Sequence, residues 1–359
     1  GTNSSLDTEE IHLGGRGSGT LNVTGGATLT SISTFINSEA AGGLAVQNQD
    51  STSSLIVDGA GSTADLGQLN MGDSQSAGST LKVTNGGVVT SQAGTTPIDA
   101  GVSFDVDGTG SSWTTDSLTG NASTAISVSN NGTIESTSNV STGSLSVASG
   151  GTLSAGTSAI LLDSSSTMLI SSGGEVVAGT DLTVSHNQVD VSGGHLTAPS
   201  SAISTGATVD VSNSGTWTTP GDFDIQGLLN VNTGGLVSVG PIAIAQASFG
   251  LTASATIESG GRLISSQGIN VGDNSPSSVG NLRVFNGGTV EAALELQLHK
   301  LGFVNLDGGV LRVRSITESV PGDGFFTFEA GTLQLTGPAG YTVGANSGPL
   351  ERELGSSKF

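Results

Sequence analysis

Apolar and polar residues alternate along most of this chain in short bursts, and each burst runs into a pair of turn-forming residues. The stretch Leu282-Arg283-Val284-Phe285-Asn286-Gly287-Gly288-Thr289-Val290 shows the unit: an apolar-x-apolar triplet, a glycine pair and a further apolar residue. It returns from Leu21 to Leu29, Leu81 to Val89, Leu145 to Leu153, Met168 to Val176 and Leu229 to Val237, with looser copies from Ile126, Val209, Val304 and Phe326. Side chains of an extended strand alternate between faces, so Leu-x-Val sends two apolar groups to one side and the middle residue to the other. A corner needs positive φ or close backbone approach, which glycine supplies at little cost. Where the first glycine is missing, Asn131 or Ser214 stands in, and Asn tolerates the left-handed region.

The second glycine of the motif falls at 132, 151, 174, 194, 215, 235, 261, 288, 309 and 331, at intervals of 19 to 27 residues. One supersecondary unit per twenty-odd residues is the mark of a solenoid. No L-x-x-L-x-L-x-x-N recurs, and Gly, Ser and Thr saturate the intervals where helices would lie. The pattern therefore predicts an all-β protein, a single-stranded parallel β-solenoid (β-helix) of about 15 coils at roughly 20–22 residues each. It is expected to be right-handed, because crossovers between parallel strands are. Val284, Leu282, Leu145, Val147, Leu229 and Val231 should face inward, and Arg283, Ser146 and Asn230 outward.

Periodicity changes how the composition reads. Fifty-seven glycines in 359 residues would suggest low complexity if they were aperiodic, but here they hold fixed offsets. A solenoid grows by adding coils, so one elongated domain is expected: a segment or cap over residues 1–10, the solenoid over 11–337 and a tail or cap over 338–359. The net charge of −21 repels nucleic acid and anionic membranes, which excludes the first as a partner. Without cysteine there is no disulfide framework and no thiolate metal site. No stretch has the length of a membrane helix, and Gly-Thr-Asn-Ser-Ser lacks the features of a signal peptide. Any export signal is expected outside this sequence.

A longer module surrounds some copies. Ile11-His12-Leu13-Gly14, a polar loop and Thr20-Leu21-Asn22-Val23 recur as Leu69-Asn70-Met71-Gly72 with Ser79 to Val83, and as Ile269-Asn270-Val271-Gly272 with Asn281 to Val284. Between them lie Val57-Asp58-Gly59-Ala60-Gly61-Ser62 and Val106-Asp107-Gly108-Thr109-Gly110-Ser111-Ser112-Trp113. Together these motifs resemble the β-solenoid repeats of bacterial surface proteins, such as autotransporter passenger domains and large exported proteins with PEP-CTERM-type sorting tails. The resemblance spans roughly residues 11–340. It implies an extracellular or cell-surface habit and carries no catalytic residues.

Candidate chemistry is sparse. His12, His186, His195 and His299 show no metal-ligand spacing, and no G-x-S-x-G is present. Asp105 with Asp107, and Asp222 with Asp224, each put two carboxylates on one strand face, a spacing that suits calcium or paired catalytic acids. Neither pair completes a calcium loop, so a solvated face is the plainer reading and no cofactor is expected. Arg312 and Arg314 flank Val313 in the same manner and read as an interface feature. Trp113 and Trp217 take the place of a core Leu or Val after a corner, which favours burial over sugar stacking. Half of the ten phenylalanines follow Leu301, as in an aromatic coil that closes the core.

These observations lead to a non-enzymatic exported protein whose first expectation is a structural role, a subunit of an extracellular fibre or surface layer. Residues 1–260 carry a net −19 and residues 261–359 a net −2, which favours head-to-tail contact between copies. Ile11 and Leu13 at one end, and Phe303, Arg312, Arg314, Phe325, Phe326 and Phe328 at the other, are the interface candidates. An adhesin or passenger domain that binds cell-surface polysaccharide or a host or neighbouring cell through loops is the first alternative. A polysaccharide-active enzyme on a β-helix scaffold is the second.

Overall fold

A computed structural model describes residues 2–14, 18–36, 52–72, 78–92, 101–156, 160–185, 188–246, 252–273, 277–319 and 324–337, with the backbone alone for 160–165. All of the regular structure among them is β-strand, and every register-defined strand pair is parallel. The strands stack as a β-solenoid of about 13 turns at about 22 residues per coil. That is fewer turns than expected because some steps are long: Thr28 pairs with Thr63, whereas Thr133 pairs with Thr152. Two compact units divide at Thr180/Asp181.

Complete coils have three strands, designated here by face. The first face holds the strand before the glycine corner, the second the strand after it. In the unit Gly1–Thr180, Thr52–Asp58, Gly78–Thr84, Ser103–Asp107 and Ala125–Ser129 stack on the first face. Val88–Gln92, Ser112–Thr115, Thr133–Ser136, Thr152–Ala155 and Glu175–Ala178 stack on the second. In the unit Asp181–Phe359, the third face runs through Asp181–Val184, Ser200–Ile203, Phe223–Ile225, Ile242–Ile244, Ile269–Val271, Glu295–Leu298 and Ser315–Glu318. The triplet Ile269-Asn270-Val271 of the longer module is a strand of this third face, while Ile11-His12-Leu13 and Leu69-Asn70-Met71 end the long strands Ser5–Leu13 and Thr63–Met71 of the other unit.

Burial alternates along the strands that flank the corners, such as Ser103–Asp107, Thr208–Ser212 and Leu228–Val231. Leu145, Val147, Leu229, Val231, Leu282 and Val284 are buried, and Val128 stands in register with Val147 in an inward ladder. Ser146 and Asn230 are half-buried and Arg283 is exposed on the outside. Trp113 is buried, stacks on Phe104 at 4.6 Å and donates its indole N–H to Ser91 Oγ at 3.0 Å. Trp217 is buried edge-on against Phe223 at 4.9 Å. Both tryptophans are core.

The two glycines of a corner do different work. At Ser171 to Gly174, Ser172 (φ 47) and Gly173 (φ 76) are both left-handed, and Gly174 N–H donates back to Ser171 O at 2.9 Å, the pattern of a type I′ turn. Asn131 (φ 64) and Ser214 (φ 69) replace the first glycine because that position asks only for positive φ. At Gly132, Gly151, Gly174, Gly215, Gly235, Gly261 and Gly288 the second glycine has an ordinary φ but no room: a Cβ on Gly174 would stand 2.3 Å from the carbonyl oxygen of Val147 in the preceding coil, whereas in the first copy Gly26 (φ 77) is open and Ala27 takes the close position. The V-D-G-x-G-S corners solve the same problem with serine. Buried Ser62 accepts from Gly26 N–H at 3.1 Å and donates to Asp58 O at 2.8 Å, and Ser111 repeats this with Gly86 and Asp107.

Residues 5–10, expected to precede the solenoid, belong to its first described coil. The strand Ser5–Leu13 pairs with Thr28–Ile36, with Leu6 beside the inward Leu29. Residues 338–359, expected to form a tail or cap, lie outside the described residues.

Two pairs of substitutions test this account of the coil. Gly174→Ala should cost at least about 2–3 kcal/mol in unfolding free energy by overpacking against backbone, while Gly173→Asn, whose position is open to a side chain, should cost about 1 kcal/mol or less. Val147→Asp should cost more than about 4 kcal/mol and Ser146→Asp less than about 0.5 kcal/mol; denaturant titrations giving equal losses within either pair would refute the assignment.

Candidate ligand-binding surface

The outward positions of the first face change character in the last three coils of the unit Asp181–Phe359. Earlier coils present Gln188, Asp190 and Ser192, then Thr208, Asp210 and Ser212. From Val279 the strands present Asn281, Arg283 and Phe285, then Phe303, Asn305 and Asp307, then Phe325, Thr327 and Glu329. Register puts these side by side: Asn281 beside Phe303 and Phe325, and Arg283 beside Asn305 and Thr327. The result is a trough whose long side chains form two walls and whose shorter ones form much of the floor. It encloses about 470 Å³ and is lined by Asn281, Arg283, Phe285, Phe303, Asn305, Thr327 and Glu329.

Phe303 and Phe325 stack with ring centroids 5.0 Å apart and planes inclined by 6°. Phe325 keeps 51% of its surface exposed, whereas the alternate residues Phe326 and Phe328 point inward beside Val304 and Leu306. The C-terminal phenylalanines are therefore split between core and surface, because a strand sends neighbours to opposite faces; Phe303 and Phe325 do not help close the core. On the trough floor, Asn305 Nδ2 donates to Glu329 Oε1 at 3.3 Å, while Asn305 Oδ1 is buried without a donor among the described residues. Flipping the amide would aim its oxygen at a carboxylate, so the pairing fixes the orientation. Arg283 makes no hydrogen bond or ion pair with any described residue.

The other candidates are placed differently. Arg312 lies on the second face in an outer ladder, 3.4 Å from Glu291 and donating to Gln334 Oε1 at 2.9 Å, and Glu291 also meets Arg262 at 3.2 Å. Arg314 follows at the next corner, beside a polar hollow of about 480 Å³ that Gln267, Asn270, Glu295 and Gln297 also line. Ile11 is buried and Leu13 half-buried on the first described strand.

Asp105 forms an ion pair with Lys82 at 3.0 Å. Asp107 Oδ1 accepts from Ser129 Oγ at 2.7 Å and Asn130 Nδ2 at 2.6 Å of the next coil, and Asp58 Oδ1 accepts from Thr84 and Asn85, each at 2.7 Å. These corner clasps use the aspartate of the V-D-G-x-G-S motif. The hydrogen bond from Ser129, then that from Asn130, holds the Asp107 carboxyl below the usual carboxylate range, and Thr84, then Asn85, does so for Asp58. Asp222 and Asp224 are exposed on either side of core Phe223. Asp224 is pushed up by partial loss of hydration and then by the charge of Asp222. No group of three or more His, Asp or Glu stands together among the described residues.

His12 stacks on Phe35 at 4.7 Å and His195 Nδ1 lies 2.6 Å from Thr216 Oγ1. His299 is buried, which holds its pKa down against the opposing pull of Asp273. His186 lies outside the described residues. No helix among them is long and apolar enough to cross a membrane.

Sequence reading missed Asn305, Thr327 and Glu329. Aligning the last three copies by their inward residues would have exposed the change in the outward columns.

The strand ladders define this chain as a parallel β-solenoid, the fold that its resemblance to exported bacterial repeat proteins implied. No family model and no curated protein matches it. Among solved structures, the TibC-catalyzed hyper-glycosylated TibA55-350 fragment aligns with 90% of this chain and 99% of its own, at 18% identity and a TM-score of 0.41. A likeness of that size leaves the fold to rest on the ladders themselves.

The clasps predict an acid response. Asp58 and Asp107 have depressed folded-state pKa values, so their stabilisation is present above about pH 4 and fades as pH falls through the folded values. The gap in melting temperature between the wild type and an Asp58→Asn/Asp107→Asn variant should therefore narrow below about pH 4. Thermal melts followed by circular dichroism from pH 2.5 to 6 check this, and a constant gap would remove the clasps.

Proposed function

We propose that this chain is a bacterial cell-surface β-solenoid of the adhesin or passenger type, a non-catalytic frame that presents a contact surface to the outside of the cell. The observation that supports the reading is the division of labour on each strand. Inward positions are committed to the core ladders, so outward positions vary without disturbing the coil, and in the last coils they turn from short polar groups to an aromatic- and amide-lined trough. Function concentrates where a rigid scaffold displays variable residues. Antibody raised against the purified chain should label intact cells of the producing organism as strongly as permeabilised ones, and beads coated with the chain should adhere to bacterial or host cells. Labelling seen only after permeabilisation would remove this reading.

The head-to-tail fibre is the second reading, and the first described coil favours it. Leu6 stands in the inward column yet is 50% exposed, and its strand Ser5–Leu13 has a neighbour on one side only among the described residues. Open strand edges pair with other chains unless blocked, and a heterologous contact that does not close makes a filament. Negative-stain microscopy at low salt should then show filaments that Leu6→Asp abolishes without lowering the melting temperature. A monodisperse sedimentation profile at high concentration would leave the surface reading alone.

A further inference from the structure

We propose that the trough on the first face of the last three coils is a binding site for an uncharged glycan, laid across the strands from Asn281 towards Phe325. This deepens the surface reading by naming the ligand class of that face.

Three properties of the trough carry the inference. Its walls are apolar ring surface, from Phe303, on which the exposed Phe325 stacks, on one side and Phe285 on the other. Its floor and rims alternate donors with acceptors: the unpartnered guanidinium of Arg283, the hydroxyl of Thr327, the amides of Asn281 and Asn305 and the carboxylate of Glu329. A ligand that satisfies such a surface must offer C–H faces together with groups that both donate and accept, which is the chemistry of a sugar ring and its hydroxyls. The third property is an unmet need, since Asn305 Oδ1 has no donor. An acceptor left without a partner is costly, and a ligand hydroxyl brought in by a small shift of the covering side chains would relieve it.

Size and charge narrow the choice. Three strands at a spacing of about 4.8 Å place the outer two about 10 Å apart, room for a short oligosaccharide. Asp307 and Glu329 outweigh Arg283 locally, and the chain carries a net −21, so an anionic glycan is repelled. A peptide is a poorer occupant because the trough lies on the face of the sheet. Strand addition needs a free edge, and Val279–Phe285 and Gly302–Val313 are both paired on either side, so the one edge of the trough's strands left open among the described residues is the outer side of Phe325–Leu335, away from the floor.

The test uses the full chain on an array of neutral and acidic oligosaccharides, with calorimetry on representative hits such as cellotetraose, maltotetraose and a tetragalacturonate. Phe325→Ala, Asn305→Ala and, as a control outside the trough, Arg262→Ala are measured beside the wild type. The expected result is saturable binding of at least one neutral oligosaccharide, weakened at least tenfold by Phe325→Ala and by Asn305→Ala and unchanged by Arg262→Ala, with circular dichroism melts preserved. Because the Asn305 change could perturb folding, the conservative Asn305→Gln variant should recover part of the affinity. No binding at millimolar concentration, preference for the acidic glycan, or equal affinity in all variants would overturn the proposal. Surface labelling and bead adhesion that persist in Phe325→Ala alongside a negative array would refute the glycan site and leave the surface reading standing. Release of shortened sugars from a bound oligosaccharide would overturn the non-catalytic assignment instead.

Discussion

Close backbone approach at the corners is the constraint on which this molecule depends. Where a carbonyl oxygen such as that of Val147 lies 2.3 Å from the place a Cβ on Gly174 would occupy, a bulkier residue would push the next coil away and disturb the strand hydrogen bonds beyond the turn. Gly215 and Gly235 stand in the same relation to Val191 and Val211. The first glycine answers a torsional demand, which Asn and Ser also meet, and the second a steric one, which they do not. The serine of the V-D-G-x-G-S corner is the exception that fits the rule, since its hydroxyl takes over the hydrogen bonds of the site.

With the spacing set at the corners, each strand separates its two tasks. Inward residues form continuous ladders in which a cavity or a charge is felt by the coils above and below. Outward residues interact mainly along columns: the clasps of Asp58 and Asp107, the chain Arg262-Glu291-Arg312-Gln334 and the phenylalanine pair at 303 and 325. Exposed ion pairs of this kind are worth little individually, roughly 0–1 kcal/mol. Their effect is to consume side chains that an isolated reading takes for free functional groups. Arg312 is the clearest case, because its guanidinium is occupied on both sides by its own chain.

A surface built this way is evolvable in a specific sense. In three successive coils a change of the outward residues, on strands whose inward positions remain apolar, replaces a polar, featureless face with a trough containing rings, amides and an acceptor without a donor among the described residues. The strands hold every lining residue on a fixed grid, so a ligand of the proposed kind would meet a preorganised surface.

The sequence by itself determined the inside and outside of each strand, the place of the corners and the burial of both tryptophans, because period-two alternation and glycine spacing are local properties legible from neighbouring residues. It also marked the third-face strand Ile269-Asn270-Val271, although not its place in a three-strand coil. Only the tertiary structure decided what meets along a column. Asp107 meets Ser129 and Asn130, Arg312 meets Glu291 and Gln334, Asn281 stands beside Phe303 and Phe303 meets Phe325, each across about twenty residues of chain. The step between coils varies from 19 to 35 residues, so a column partner cannot be found by counting. It is fixed by which strands hydrogen-bond in register, and that depends on how every corner in between is closed.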